Sequence, residues 1–397
     1  MNKRALLVAN SASMIDHFNR DNIAILKSLN YEITVAADFD HGNSSTKERI
    51  NEFKAELLEQ GIELLPLSIP RSLTHIPEMF KSISRLKKHI AEHPYEIIHT
   101  QTPFGGVVGR LASKKARKQN KTKVIYFVHG FHFFKGASAT NHIISYNIEK
   151  YLSHYTDCLI TLNHEDYAAA CNKFKHPNAR YVPGIGVDTD MINNMQVDKT
   201  EKCLSLGIPT DKKIILTTAE LIPRKNVEGT IRAFAGIKNP DSVLVICGKG
   251  HLAEQLKKLA KDLNIADRVF FLGYRTDILD IYHIADIFLF TSYQEGLPVS
   301  VMQAMAAGLP IIASDIRGNR DLLGAGEGTL SSDYLIDVND INAFTEKLDY
   351  LLTKPDIRNS LGSENVKRCR DNFDISIVHK DMLAIYEELA SEREDSL

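Results

Sequence analysis

Short apolar runs alternate with amphipathic stretches along nearly the whole chain. In the first half, residues 5–9, 33–37, 62–69, 96–100, 123–128 and 158–162 read as strands, and 21–29, 46–60, 78–92, 106–118, 142–154 and 164–174 between them read as helices. Strand and helix taking turns implies βαβ units and a mostly parallel sheet covered on both faces. The second half repeats the plan, with strands at 214–218, 243–247, 269–272, 287–290 and 311–313 and helices such as 227–237, 252–263 and 341–352. Pro183, Gly184 and Gly186 lie between the two blocks and mark their junction. The expected organisation is therefore an α/β protein with domains at 1–185 and 186–374. Its last amphipathic stretch, 375–389 within the segment to 397, crosses back to the first domain. Two domains are also what 397 residues predict, because one core rarely serves so long a chain.

In open α/β sheets ligands bind beyond the carboxyl ends of the strands, so candidates are residues that directly follow a strand. The stretch from Asp286 to Asn319 is the most informative: an apolar run, a loop holding Glu295, Gly296, Leu297 and Pro298, then a helix from Val299 that Gly308 and Pro310 stop. Free amides and the helix dipole at such a start suit a phosphate, although an ordinary βα corner has the same look. Arg224 and Lys225 precede a helix at another strand end, a pair that fits a diphosphate or a solvated face. Gly248-Lys249-Gly250-His251-Leu252-Ala253 matches the GxGxxA form of a dinucleotide fingerprint, but it falls in the second turn of its half and Asp267 precedes the next strand. It reads as a close backbone approach to a ligand, not as NAD binding. In the first half His129, at a strand end before Gly130, is the histidine of choice among fifteen for contact with a ligand. A histidine satisfied by backbone is the competing reading.

Charge and cysteine content sharpen this picture. Residues 1–190 hold 24 Lys and Arg against 19 Asp and Glu, and the rest hold 24 against 31, so the halves differ in sign and in expected partners. Lys81, Arg85, Lys87 and Lys88, then Lys114, Lys115, Arg117 and Lys118, lie in the same half as the aromatic loop Phe131-His132-Phe133-Phe134-Lys135-Gly136. Together they suggest a lipid-facing lip and peripheral contact with an anionic membrane, with phenylalanines in the core and solvated basic helix faces as the competing reading. No apolar run reaches the roughly 20 residues that span a bilayer. Five scattered cysteines without CxxC spacing point to a reducing, cytoplasmic setting and away from zinc. Asp38-Phe39-Asp40 and Asp188-Thr189-Asp190 imitate a metal-binding DxD but read as loop and cap residues, so no metal and no cofactor are expected. No zinc-finger or RNP-type motif suggests nucleic acid.

Taken together, six segments resemble a retaining glycosyltransferase of the family 4 type, in particular bacterial capsular and exopolysaccharide glycosyltransferases. They are His99-Thr100-Gln101-Thr102-Pro103-Phe104-Gly105-Gly106, the stretch from His129 to Gly136, Pro183-Gly184-Ile185-Gly186-Val187-Asp188, Glu220-Leu221-Ile222-Pro223-Arg224-Lys225-Asn226, Glu295-Gly296-Leu297-Pro298, and Ser314-Asp315-Ile316-Arg317-Gly318-Asn319-Arg320-Asp321. The resemblance spans nearly the whole chain. It implies the GT-B architecture, two Rossmann-like domains facing each other across a cleft.

The resemblance also implies roles. Glu295 would be the first acid of an E-x7-E motif and hold donor-sugar hydroxyls, and His129 would touch the sugar near its anomeric carbon. The backbone of Gly296, Leu297, Pro298 and Val299 would cradle the diphosphate, Lys225 with Arg224 would neutralise it, and Tyr274 and Arg275 would lie along the base. Ser13, Phe18, Thr102, Phe131 and His132 are the acceptor-side candidates. The implied donor is a nucleotide sugar, most simply a UDP-sugar, and the acceptor a lipid-diphosphate-linked saccharide at the inner face of the cell membrane. Three positions depart from the pattern: Gln303 stands where the second acid would hold the ribose, Glu220 where several relatives have a basic residue, and Gln101 and Met14 where some have His. An epimerase or phosphorylase on the same architecture, or a non-catalytic nucleotide-sugar binder, is the alternative.

Overall fold

The computed structural model describes residues 3–70, 76–133, 139–174 and 178–395. The chain divides into two compact units, Met1–Val182 with Val378–Leu397, and Pro183–Ile377.

The first unit holds a seven-stranded sheet of β1 (Arg4–Val8), β2 (Glu32–Ala37), β3 (Glu63–Pro66), β4 (Ile97–Gln101), β5 (Lys123–Val128), β6 (Cys158–Thr161) and β7 (Asn178–Tyr181). Its order is β3-β2-β1-β4-β5-β6-β7, with every pairing parallel. All residues of β4 and β6 are buried, as central strands of a sheet covered on both faces are, although β4 ends in the polar His99, Thr100 and Gln101. The second unit holds β8 (Lys213–Thr218), β9 (Ser242–Cys247), β10 (Val269–Gly273), β11 (Ile287–Phe290), β12 (Ile311–Ser314) and β13 (Leu335–Ile336) in the order β10-β9-β8-β11-β12-β13, again all parallel. Its core joins Ile215, Leu244 and Leu289 of the sheet to Phe234, Phe344 and Leu348 of the flanking helices.

Four elements differ from the sequence expectation. The edge strands β7 and β13 were unforeseen, because Asn-Ala-Arg-Tyr has no apolar run and Leu335–Ile336 is only two residues long. A helix at Ala12–Phe18 starts directly after β1, where no helix was expected. The expected helix 106–118 is two, Pro103–Ala112 and Lys114–Gln119, broken at Ser113, whose hydroxyl donates back to the Gly109 and Arg110 carbonyls.

The helix Ile375–Glu394 buries Val378, Met382, Ile385, Tyr386 and Leu389, one face at helical spacing. Its Glu388 takes both oxygens to Arg180 of β7, and Glu392 pairs with Lys123 of β5.

The aromatic loop after β5 corrects the expectation of a lipid-facing lip. Phe131 and Phe133 are 2% and 3% exposed, stack at 4.5 Å, and pack with Phe174 and Tyr146. Phe134, Lys135 and Gly136 lie outside the described residues. Phe133→Ala is accordingly expected to cost about 3–5 kcal/mol of stability in chemical denaturation, the range for emptying a packed phenylalanine site. A change below about 1 kcal/mol would return this residue to the surface.

Candidate functional site

Sheets of this order reverse direction between β1 and β4 in the first unit and between β8 and β11 in the second, and the carboxyl ends of those strands are where ligands bind. In the second unit the two loops at the reversal are built as one piece. Pro223–Lys225 makes a single tight turn and Asn226 follows with φ +47, left-handed, where an asparagine is tolerated. Asn226 Nδ2 donates to Thr291 O at 2.9 Å, and Thr291 Oγ1 donates back to Asn226 O at 2.7 Å. Tyr293 N donates to Arg224 O at 3.0 Å, and Arg224 Nη1 to Gln294 O at 2.9 Å. Behind the loop, Arg317 Nε donates to Glu295 O at 3.1 Å, and a Cβ on Gly318 would meet Gly296 O at 2.5 Å. Only glycine lets that helix sit so close.

Inside this frame Glu295, 6% exposed, receives Lys225 Nζ on Oε1 at 2.7 Å and Arg224 Nη1 on Oε2 at 3.5 Å. Two cations and a carboxylate are thus held together before any ligand arrives. Pro298 caps the helix Val299–Ala306, and the amides of Val299 and Ser300 find no acceptor among the described residues. Leu297 is buried against Gly184, so its side chain anchors the loop and only its backbone is available. Gln303 lies one turn further along, partly exposed, with no side-chain hydrogen bond among the described residues. Cations held four residues ahead of a helix start with free amides can serve a diphosphate, while Glu295 can accept from neighbouring hydroxyls.

Two readings of nearby residues change. The Arg275 guanidinium is occupied by Asp277 at 2.8 and 2.6 Å, a pairing that holds the Asp277 carboxyl well below the usual carboxylate range, so Arg275 is committed to the protein. Tyr274 remains 63% exposed, with Lys249 Nζ 5.5 Å from its ring. The glycines of the GxGxxA stretch serve packing: a Cβ on Gly248 would meet Ala219 O at 1.8 Å, and one on Gly250 would meet Leu221 O at 2.2 Å. Their close approach is to the chain itself.

In the first unit, Thr102 follows β4 with φ +62, a costly conformation for a β-branched residue and a common mark of functional sites. Its hydroxyl accepts from Asn10 N and Gly105 N, both at 3.3 Å, tying the end of β1 to that of β4. His129 Nε2 bonds Gln101 Oε1 at 2.7 Å, and the Phe18 ring packs edge-on to His129 at 5.5 Å. Ser13 and Phe131 are corrected as acceptor-side residues. Ser13 is buried, bonding Ser11, Asn43 and Ser44, and Phe131 belongs to the core; His132 is exposed. The acidic pairs have structural partners: Asp188 caps the helix Thr189–Asn193, Asp190 pairs with Arg370, and Asp38 accepts from the amides of Asp40 and His41.

Comparison with known proteins settles the class. Residues 6–163 match the family model described as glycosyl transferase 4-like, and residues 198–368 the one described as glycosyl transferases group 1. A Bacillus subtilis protein that bears the name "Putative glycosyltransferase EpsD" is 35% identical over 372 residues, 92% of each chain. This chain is a group 1 glycosyltransferase. The Escherichia coli UDP-Gal:alpha-D-GlcNAc-diphosphoundecaprenol alpha-1,3-galactosyltransferase is 32% identical over 289 residues, 70% of this chain and 71% of that one. The crystal structure of Anabaena HepE in complex with UDP gives a TM-score of 0.74 at 20% identity, covering 98% of the glycosyltransferase and all of HepE. Sucrose-phosphate synthase from Thermosynechococcus elongatus gives 0.77 at 18% identity, over 98% and 100% of the two chains. The glycosyltransferase therefore has the GT-B fold, with two Rossmann-like domains. Its Asn226 and Arg317, which the sequence reading did not single out, emerge as the residues that hold the loops of the second unit. Asn226 stood in the sequence as a potential helix cap, while Arg317 gave no signal of its own.

Proposed function

We propose that the protein is a retaining glycosyltransferase that moves a sugar from a UDP-sugar to a lipid-diphosphate-linked saccharide in capsule or exopolysaccharide assembly. The observation that carries this is that Lys225 and Arg224 are paired with Glu295 four residues before the helix Val299–Ala306, whose first amides have no acceptor among the described residues. Negative charge grows on the departing diphosphate, and preorganised donors aimed at it are the largest available source of rate. Lys225 supplies the main charge, Arg224 assists, and the backbone from Gly296 to Val299 supplies geometry. Glu295 leaves its cations to the diphosphate and takes sugar hydroxyls, His129 contacts the sugar, and Tyr274 offers a face to the base. Because charge is supplied by side chains and amides, transfer requires no metal and persists in EDTA. The diphosphoundecaprenol acceptor and UDP-linked donor in the name of the Escherichia coli relative support the lipid acceptor and the UDP-sugar.

Thermal stabilisation by a panel of nucleoside diphosphates and their sugars tests the donor, since a ligand at 100 times its Kd adds about 2.7 kcal/mol. UDP and one UDP-sugar should raise Tm; a response to NAD alone would overturn the assignment. Gln303 can bond ribose hydroxyls but lacks a carboxylate's charge. Gln303→Glu should therefore tighten UDP severalfold, and unchanged or weaker binding would mean that the amide is the adapted residue.

Peripheral membrane contact is part of the same proposal, with a corrected surface. The helix Ile76–Glu92 carries Ile76 and Phe80, 46% and 61% exposed, with Lys87 on the same face and Lys81 and Arg85 further round, cations without a partner among the described residues. The protein should bind vesicles of anionic lipid at low salt and release as salt shortens the ~10 Å screening length of 0.1 M. Reversing Lys81, Arg85 and Lys87 should abolish co-sedimentation, and a folded triple variant that still sediments would discard this surface.

A further inference from the structure

The side chains behind His129 form a closed polar ring whose hydrogen-bond direction follows from one backbone atom. Asn19 Nδ2 lies 3.3 Å from Met14 O, and a carbonyl oxygen only accepts. Asn19 Oδ1 therefore points the other way, accepting from Gln101 Nε2 and, at 3.1 Å, from Asn22 Nδ2. With its NH2 on Asn19, Gln101 turns Oε1 to His129 Nε2 at 2.7 Å, so that nitrogen must carry the proton. On the other arm, Tyr386 Oη donates to Asn22 Oδ1 at 3.2 Å and accepts from His99 Nδ1 at 2.6 Å. His99 Nε2 is then bare, and it lies 3.4 Å from Gln101 Nε2, which has a second hydrogen to offer. Reversing any one amide would oppose two donors or two acceptors. Asn19, Gln101, His99 and Tyr386 are at most 1% exposed, so water cannot repair such a mismatch.

We infer that Gln101, clamped by Asn19 and by the His99–Tyr386 pair, is a positioning residue that holds His129 as the neutral Nε2–H tautomer with Nδ1 as a bare hydrogen-bond acceptor. Nδ1 of His129 has no hydrogen-bond partner among the described residues. Among the described residues the groups that face the ring are uncharged: Gln101 from β4, Phe18 from the helix Ala12–Phe18 and Phe127 from its own strand, with His99 and Tyr386 beyond Gln101. Asp16, on the same helix as Phe18, is engaged by Arg20 and Arg49 instead. Burial pushes His129 down to about 4 and His99 down to about 3, the latter also through repulsion from His129. Resting on the reading of His129 as a contact of the donor sugar, its Nδ1 accepts from a sugar hydroxyl, and the ring gives no proton to the reaction at neutral pH.

Long-range proton–nitrogen correlation spectra of protein carrying nitrogen-15 histidine test this on the unsubstituted enzyme, with His129→Gln and His99→Gln used to assign the two rings. Two opposite tautomers are expected at pH 7, His129 bare at Nδ1 and His99 bare at Nε2. His129 seen charged or bare at Nε2, or His99 bare at Nδ1, overturns the inference and leaves the transferase reading untouched. In Gln101→Glu the carboxylate still accepts from Nε2 but favours the imidazolium, so the His129 titration should rise by about 1–3 pH units. Nδ1 protonates below that point and can no longer accept, so transfer should fall on the acid side where the parent enzyme stays flat. A raised titration with an unchanged acid limb would overturn the acceptor role.

Discussion

Lys225→Ala is expected to weaken UDP binding by about 1.5–3 kcal/mol, roughly 10- to 150-fold in Kd, the worth of a hydrogen bond between charged groups. Turnover should fall further than binding, because the charge on the diphosphate is larger in the transition state than in the ground state. The ligand-free geometry adds a second expected result. Lys225 Nζ sits 2.7 Å from a nearly buried Glu295, so the variant leaves a carboxylate with only Arg224 at 3.5 Å. The variant should therefore be less stable without UDP. Titration calorimetry with UDP separates the outcomes, and an unaltered Kd would make Lys225 a partner of Glu295 and nothing more.

Glu295→Gln should act in the opposite sense on binding and rate. The amide keeps the shape but cannot hold sugar hydroxyls with the strength of a carboxylate. It also frees Lys225 for the diphosphate. UDP affinity should hold or improve while transfer falls by about 100- to 1,000-fold, the scale of losing one preorganised transition-state contact. Initial rates at saturating donor, set beside UDP affinity, decide it. Parallel losses in both would place Glu295 in the framework of the loop instead of at the sugar.

The βαβ alternation carried the fold in the sequence because most strands of these parallel sheets are short, largely apolar and buried, and eleven of the thirteen described strands were legible from that pattern. The two missed, β7 and β13, sit at sheet edges, where one neighbour suffices and side chains need not be apolar. Periodicity also ran through Ser113, because a break caused by a side chain bonding its own backbone leaves no mark on the apolar pattern. At the site, Glu295, Lys225 and the helix start were legible because each follows a strand. Their mutual contact was not, since it depends on the tie between Asn226 and Thr291, 65 residues apart. The aromatic loop misled for a physical reason: Phe131 and Phe133 beside Gly130 suit an exposed lip, yet Tyr146 of the helix Ala139–Ser153 and Phe174, just after the helix His164–Lys173, cover them. Nor could composition show that Arg275, expected along the base, is taken by Asp277, because only the fold brings that pair together.

The central claim is sugar transfer from a diphosphate seat at the start of the helix Val299–Ala306 to a lipid-linked saccharide. Incubating the enzyme with the UDP-sugar that stabilises it and a diphosphoundecaprenol-linked sugar, then following organic-soluble product and its anomeric configuration by NMR, tests it most directly. The account predicts a lipid-linked product with the donor's configuration retained, stoichiometric release of UDP, and loss of both in Lys225→Ala. Free sugar, an epimerised donor, an inverted linkage, or tight UDP-sugar binding without product for any lipid-linked saccharide would contradict it.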